Sequence, residues 1–327
     1  MNISNIELGN KPVFLAPMED VTDPSFRFIC KHFGADMMYT EFIAADGLIR
    51  DASKSVIKLD IFDYERPIGI QIYGHKILPM TEAARLAEQA NPDVIDINFG
   101  CPVRKIAARG AGSGMMLFPD KMVEMTRSIV DAVKIPVTVK TRLGWDENSK
   151  IIVELAERLQ DVGIAAITIH GRTRSQLYKG EADWTLIGEV KKNQRLHIPV
   201  IGNGDIDSPQ KAKKMFDDYN VDAIMIGRAT FGQPWIFKSI KHYIKTGELL
   251  AEPTVTERVE IAKMHFKKSL EIKGERVGVL EMRRHLSCYF KGLPDFKETR
   301  LKLVTTSEPG KIIELLNFIN DRWGQDT

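Results

Sequence analysis

The chain has 327 residues, room for one large domain and a smaller second one. Hydrophobic residues at 43% and charged residues at 28% describe an ordinary globular protein, and a net charge of +2 excludes a chain-wide basic signature for nucleic acid. Cys30, Cys101 and Cys288 lack metal-ligand spacing, no apolar run approaches the ~18 residues of a membrane span, and residues 1–4 open no signal peptide. The expectations are therefore a cytoplasmic protein without a disulfide framework, a metal or a membrane anchor.

Short apolar runs recur at 13–16, 37–40, 68–72, 94–97, 137–140, 165–169, 199–201 and 223–226, each followed by helical sequence. Alternating strand and helix signals imply parallel pairing through right-handed crossovers. Eight such units in the first 247 residues predict an α/β fold of the (β/α)8 TIM-barrel type. An open doubly wound sheet is the competing fold, but no G-x-G-x-x-G follows any strand. Helix punctuation agrees. Asp23-Pro24 caps a helix that Gly34 stops, Ser208-Pro209 starts another over 210–219, and Asn148 is placed to cap one running to about 162.

The fourth run ends in Asn98-Phe99-Gly100-Cys101-Pro102, so Cys101 lies just past the C-terminal end of a strand buried on both faces. A long loop, 103–118, follows and carries Arg104, Lys105, Arg109 and several glycines. In a barrel that end is the active face, where a thiol reads as chemistry; otherwise Cys101 is a small buried hydrophobe.

Beyond residue 247 the alternation stops. Thr254-x-x-Glu257 forms a capping-box pattern, Val255, Val259, Ala262, Phe266 and Leu270 recur at helical spacing, and 275–291 and 310–323 also read as helices. The division expected is a barrel over 1–247 and a small all-helical domain over 248–327. Residues 254–327 hold 14 Lys+Arg against 11 Asp+Glu. On 275–291, Arg276, Arg283, Arg284 and Lys291 fall within an arc of about 100°.

Candidate functional residues gather at the strand ends. Glycines in Gly202-Asn203-Gly204-Asp205 and Gly227-Arg228, after strands seven and eight, let backbone N–H groups approach a phosphate, and Arg228 adds a charge. Gly-rich turns are also common there without a ligand. Lys140 inside a barrel needs a negative partner, either the N1–C2=O edge of a reduced flavin or a carboxylate such as Glu41 or Asp96. Gln71 offers a donor and an acceptor to a pyrimidine edge, and His170 could touch the phosphate or be an internally satisfied polar residue.

Together the segments Ala16-Pro17-Met18, Asn98-Phe99-Gly100-Cys101-Pro102, Val139-Lys140-Thr141-Arg142, His170-Gly171-Arg172-Thr173-Arg174, Asn203-Gly204-Asp205 and Gly227-Arg228 resemble the tRNA-dihydrouridine synthase family, its bacterial B-type subgroup in particular. The resemblance implies a monomeric FMN enzyme that uses NADPH to reduce D-loop uridines of tRNA to 5,6-dihydrouridine. It implies flavin contacts from Ala16, Pro17, Met18, Gln71, Lys140 and His170, and a phosphate side built by Asn203, Gly204, Asp205, Gly227 and Arg228. Cys101 matches the general acid, and the helical domain matches an RNA-binding one. RNA contacts are then expected from Arg276, Arg283, Arg284 and Lys291, and at the barrel mouth from Arg172 and Arg174 with Tyr178 nearby. The competing functions are a flavin barrel acting on a free pyrimidine, such as a dihydroorotate dehydrogenase, and an RNA-binding module with a vestigial flavin site.

Overall fold

The computed structural model describes residues 1–324. Eight parallel strands form the barrel: β1 (Val13–Leu15), β2 (Met38–Tyr39), β3 (Ile68–Tyr73), β4 (Val94–Asn98), β5 (Val137–Arg142), β6 (Ala166–His170), β7 (Val200–Asn203) and β8 (Ala223–Ile226). Each pairs in parallel with its neighbour in sequence from β3 onward, and β8 pairs with β1. The ring closes between β1 and β2 by a single bridge, Phe14 to Met37, with Leu15 N donating to Met37 O at 2.9 Å. A second short strand, Ile43–Ala44, extends the β2 side along β3.

Strand alternation explains the two cores. Ile95, Ile97, Val139, Ile167 and Ile169 point outward and pack with the surrounding helices. Val94, Ala166, Ile201, Ala223 and Met225 point inward and fill the lower barrel, with Ile3 and Leu8 of the amino-terminal segment completing that cluster. Toward the C-terminal ends of the strands the same inward phase supplies Asp96, Asn98, Lys140, His170 and Asn203, so the interior turns polar.

Helices α1 (Pro24–His32), α2 (Ile77–Gln89), α3 (Pro119–Val130), α4 (Ile152–Asp161), α5 (Thr185–Lys192), α6 (Pro209–Tyr219) and α7 (Ile236–Thr246) surround the strands. Asp23 accepts from Ser25 N and Phe26 N at the start of α1, and Ser208 accepts from Lys211 N at the start of α6, as expected. Asn148 is not a cap. Residues 143–151 fold back through a Gly144–Lys150 bridge, Asp146 gathers the local hydrogen bonds, and α4 begins only at Ile152. The 103–118 loop is also more ordered than its glycines suggest. It contains a short helix, Arg104–Ala107, and a 3-10 segment, Gly112–Leu117, with Met115 and Met116 buried.

The C-terminal helices are α8 (Val255–Tyr289), α9 (Lys297–Thr305) and α10 (Pro309–Trp323). The capping box at Thr254 and Glu257 is formed. Gly274, at φ 73° and ψ 169°, breaks α8 into two helical pieces, which correspond to the separate helical patterns over 255–270 and 275–291. The second piece ends at Tyr289 rather than 291, and α9 is an element that the sequence pattern does not reveal. Helix α8 packs along α1 and α10. Among the described residues no helix is long and apolar enough to cross a membrane.

Candidate active site

A cavity of ≈ 810 Å³ opens at the C-terminal ends of the strands, within the ~300–1,000 Å³ typical of ligand sites. Ala16, Pro17, Met18, Cys101, Lys140, His170, Asn203, Gly204, Asp205, Gly227 and Arg228 all line it. Eleven positions, from Ala16 to Arg228, thus meet in one place, because parallel strands in a closed barrel deliver all their C-termini to one rim.

The thiol is held by its turn. Gly100 N and Cys101 N each donate to Asn98 Oδ1 at 2.9 Å, and Ser113 Oγ donates to Cys101 O at 2.8 Å. Gly112 lies so close, at φ 54°, that a Cβ there would stand 2.9 Å from Cys101 O. The 103–118 loop is therefore stapled to the cysteine turn and does not hang free over it. Burial raises the Cys101 pKa, so the group is a thiol, a proton donor, at neutral pH.

Lys140 Nζ donates to Asn203 Oδ1 at 3.2 Å. Neither of its two candidate carboxylate partners pairs with it. Glu41 lies 3.6 Å from Lys58, and Asp96 takes its hydrogen bonds from Thr138 and Gln71. Desolvation, helped by the neighbouring Arg142 charge, brings the Lys140 pKa down to about 8. A cation this poorly compensated favours an anionic or strongly accepting ligand. His170 is held neutral, first by burial and then by Arg142, Lys140, Arg172 and Arg228 around it.

On the opposite side, Asp205 accepts two bonds from Arg172, at 2.8 and 2.6 Å, and one from Arg228 at 2.8 Å. Arg228 remains half exposed and faces the ring of Tyr178 at 5.0 Å. The backbone N–H groups of Gly204, Gly227 and Arg228 make no hydrogen bond within the described residues. They are free donors beside a guanidinium, the donor set an anion requires.

Three of the expected site residues are engaged within the protein. Gln71 does not line the cavity: it is fully buried below it, donating to Asp96 and accepting from Asn98. Arg172 lines the cavity at the barrel mouth, but it is only 1% exposed, its guanidinium spent on Asp205 and on the carbonyls of Lys179 and Gly180. Arg283 donates to Thr305 O at 3.3 Å and so ties α8 to the end of α9. Arg174 is half-buried over the Trp145 ring at 4.4 Å. Arg276, Arg284 and Lys291 are exposed, and Arg284 lies 3.7 Å from Asp20, next to Glu19 of the cavity lining.

Among the lining residues that the sequence pattern does not single out as site residues, Asn98 and Arg142 matter most to the geometry. Asn98 stands there only as part of a motif, although it continues the inward phase of Asp96. Arg142 continues the inward phase of Thr138 and Lys140 and donates to Gly100 O at 2.7 Å and to Thr173 O and Leu177 O at 2.9 Å. It thereby joins the cysteine turn to the loop bearing Tyr178.

The fold is similar to that of solved oxidoreductases. Morphinone reductase in complex with tetrahydroNAD aligns with a TM-score of 0.54 at 12% identity, covering 79% of this chain and 92% of that one. A 2-naphthoyl-CoA reductase complex aligns with a TM-score of 0.60 at 12% identity, over 74% of this chain and about half (51%) of the other. At such identities the likeness concerns the fold. In sequence, the chain is 39% identical over 310 residues to a probable tRNA-dihydrouridine synthase of Rickettsia conorii, covering 94% of this chain and 93% of the relative. It is 40% identical over 292 residues to tRNA-dihydrouridine synthase B of Vibrio vulnificus, covering 89% of each. The family model described as dihydrouridine synthase matches residues 14–320, a span that takes in every cavity residue named above and, but for Val13 and the last residues of α10, the barrel strands and the C-terminal helices. By its sequence over nearly its whole length, the chain belongs to the dihydrouridine synthase family.

Proposed function

We propose that this protein is a tRNA-dihydrouridine synthase that holds FMN in the barrel cavity and takes its reducing equivalents from NADPH. The observation that carries the reading is the meeting of a protonated thiol, Cys101, and an under-compensated lysine, Lys140, in one cavity of a chain of this family. The residues present fit the cofactor. Free backbone donors at Gly204, Gly227 and Arg228 suit its phosphate, Lys140 its electron-rich pyrimidine edge, and the 16–18 segment its ring system.

FMN would supply the hydride chemistry, accepting a hydride from NADPH and passing it to C6 of uracil, which is β to the C4 carbonyl. The enolate left on the base then needs a proton at C5. Cys101 stands ready to give it, because burial keeps its sulfur protonated. The uridine must leave its stack to enter the cavity. We assign tRNA docking to the helices of 248–327, with Arg276, Arg284 and Lys291 meeting phosphates.

The test uses purified protein under anaerobic conditions. Bound FMN should bleach on NADPH addition and recover on addition of unmodified tRNA, with dihydrouridine appearing in the RNA. In Cys101→Ala, bleaching should proceed at the wild-type rate while recovery slows by roughly 10²–10⁴-fold. Recovery driven by a free pyrimidine but not by tRNA would favour the free-pyrimidine reading. RNA binding by a protein that retains no flavin would favour the binding module.

A further inference from the structure

Beneath the cavity a line of side chains runs from the barrel interior to the Cys101 backbone. At its lower end the Asp96 carboxylate, 1% exposed, accepts from Thr138 Oγ1 and from Gln71 Nε2, both at 2.6 Å. Asn98 Nδ2 donates to Gln71 Oε1 at 2.7 Å. At the upper end Asn98 Oδ1 accepts from the N–H groups of Gly100 and Cys101.

The polarity of this line is dictated at both ends. An ionised carboxylate only accepts, and a backbone N–H only donates, so the two carboxamides between them have one self-consistent orientation. Without the acceptor at position 96, Gln71 is free to turn over and present a donor to Asn98. If Asn98 follows, its NH2 group faces two N–H donors, a buried mismatch that the cysteine turn relieves only by moving.

We propose that Asp96 is a positioning residue for Cys101: through Gln71 and Asn98 it orients the hydrogen bonds that hold the cysteine turn, and so places the thiol toward the cavity. Asp96 touches neither cavity nor substrate and acts only through its neighbours. The kinetic part of this inference rests on the function proposed above, whereas the structural part does not. Asp96 also lies near Lys140 of the neighbouring strand β5, one inward position lower, so a charge effect on the lysine is the rival role. The two are separable, because asparagine keeps an acceptor toward Gln71 and can turn its NH2 toward the Thr138 hydroxyl while carrying no charge.

Two measurements on the full-length holoprotein decide the matter. Peptide-resolved iodoacetamide labelling reads the placement of the Cys101 thiol with no tRNA present. Stopped-flow absorbance separates flavin reduction by NADPH from flavin reoxidation by tRNA. Asp96→Leu should label Cys101 several-fold faster and slow reoxidation by about 10–100-fold, the usual cost of a reacting group displaced by about 1 Å. Flavin reduction should stay as in the wild type, and Asp96→Asn should restore both labelling and reoxidation. Gln71→Met breaks the line while leaving the carboxylate in place; it should reproduce the faster labelling, and it carries the test if Asp96→Leu does not fold.

Wild-type labelling in both line-breaking variants would overturn the proposal, as would equal slowing of the two half-reactions. So would Asp96→Asn as impaired as Asp96→Leu, which would assign Asp96 a charge role toward Lys140. A wild-type protein that binds no flavin would defeat the functional reading alone, and the labelling would still decide the part played by Asp96.

Discussion

Acidification should loosen the contact between α1 and α8, because two neutral histidines are sealed into it. His265 and His285 are buried, their rings 4.7 Å apart, and His285 stacks on Phe26 of α1 at 4.7 Å. His265 reaches Tyr289 Oη at 3.0 Å and Ser25 Oγ at 3.4 Å, whereas neither ring nitrogen of His285 has a hydrogen-bond partner among the described residues. The charged groups facing the pair are Asp23 and Lys273, themselves ion-paired at 2.8 Å, and Arg284. Burial depresses the His285 pKa to about 4, despite the opposing pull of Asp23, and depresses His265 in the same direction. In the unfolded chain a histidine titrates near 6.5. Between those values the unfolded state binds the proton and the folded state does not. The stability is thus fully present above pH 6.5 and is lost as pH falls toward 4.

For His285 alone the loss between pH 7.5 and pH 5 is about 2 kcal/mol. Urea unfolding at both pH values and one ionic strength measures it, with His285→Phe as the comparison. Phenylalanine keeps the stacking on Phe26 and has no ring nitrogen to protonate. The variant should lose about 2 kcal/mol less than the wild type over that interval. Equal losses in the two proteins would refute the argument, since carboxylate titration common to both would then account for all the acid sensitivity.

Lys140→Met should weaken FMN retention and lower the potential of whatever flavin remains, because a desolvated positive charge favours the reduced cofactor. Dialysis followed by absorbance, and a dye-coupled redox titration, read the two effects, and full occupancy at an unchanged potential would remove Lys140 from the cofactor site. Arg276→Ala with Lys291→Ala takes away two exposed cations while avoiding Arg283, which holds the end of α9. Affinity for tRNA should fall, with the slope of log K against log salt flattening by roughly 0.7–0.9 for each phosphate no longer neutralised and the melting temperature unchanged. An unaltered slope would place the RNA elsewhere.

The barrel was legible in the sequence because its signals are local. Each strand is a short run whose outward residues must be apolar, and caps such as Asp23-Pro24 and Ser208-Pro209 announce helices within four residues. The collection of Cys101, Lys140, Gly204 and Arg228 on one rim followed from strand direction alone. What the sequence could not carry was the use made of each polar group once burial forced it to find a partner. Gln71 and Arg172 stand at strand ends and read as ligand contacts, yet Asp96 claims the first, and Asp205 claims the second although it lines the cavity. Those partners lie 25 and 33 residues away. Arg283 sits in the same helical arc as Arg276, but the carbonyl that takes it belongs to α9, which has no clear periodicity of its own. A local pattern records which face a side chain points to. Only the closed barrel and its packed helices decide whether that face meets solvent, ligand or a buried counter-charge, because desolvation penalties depend on neighbours the local pattern does not contain.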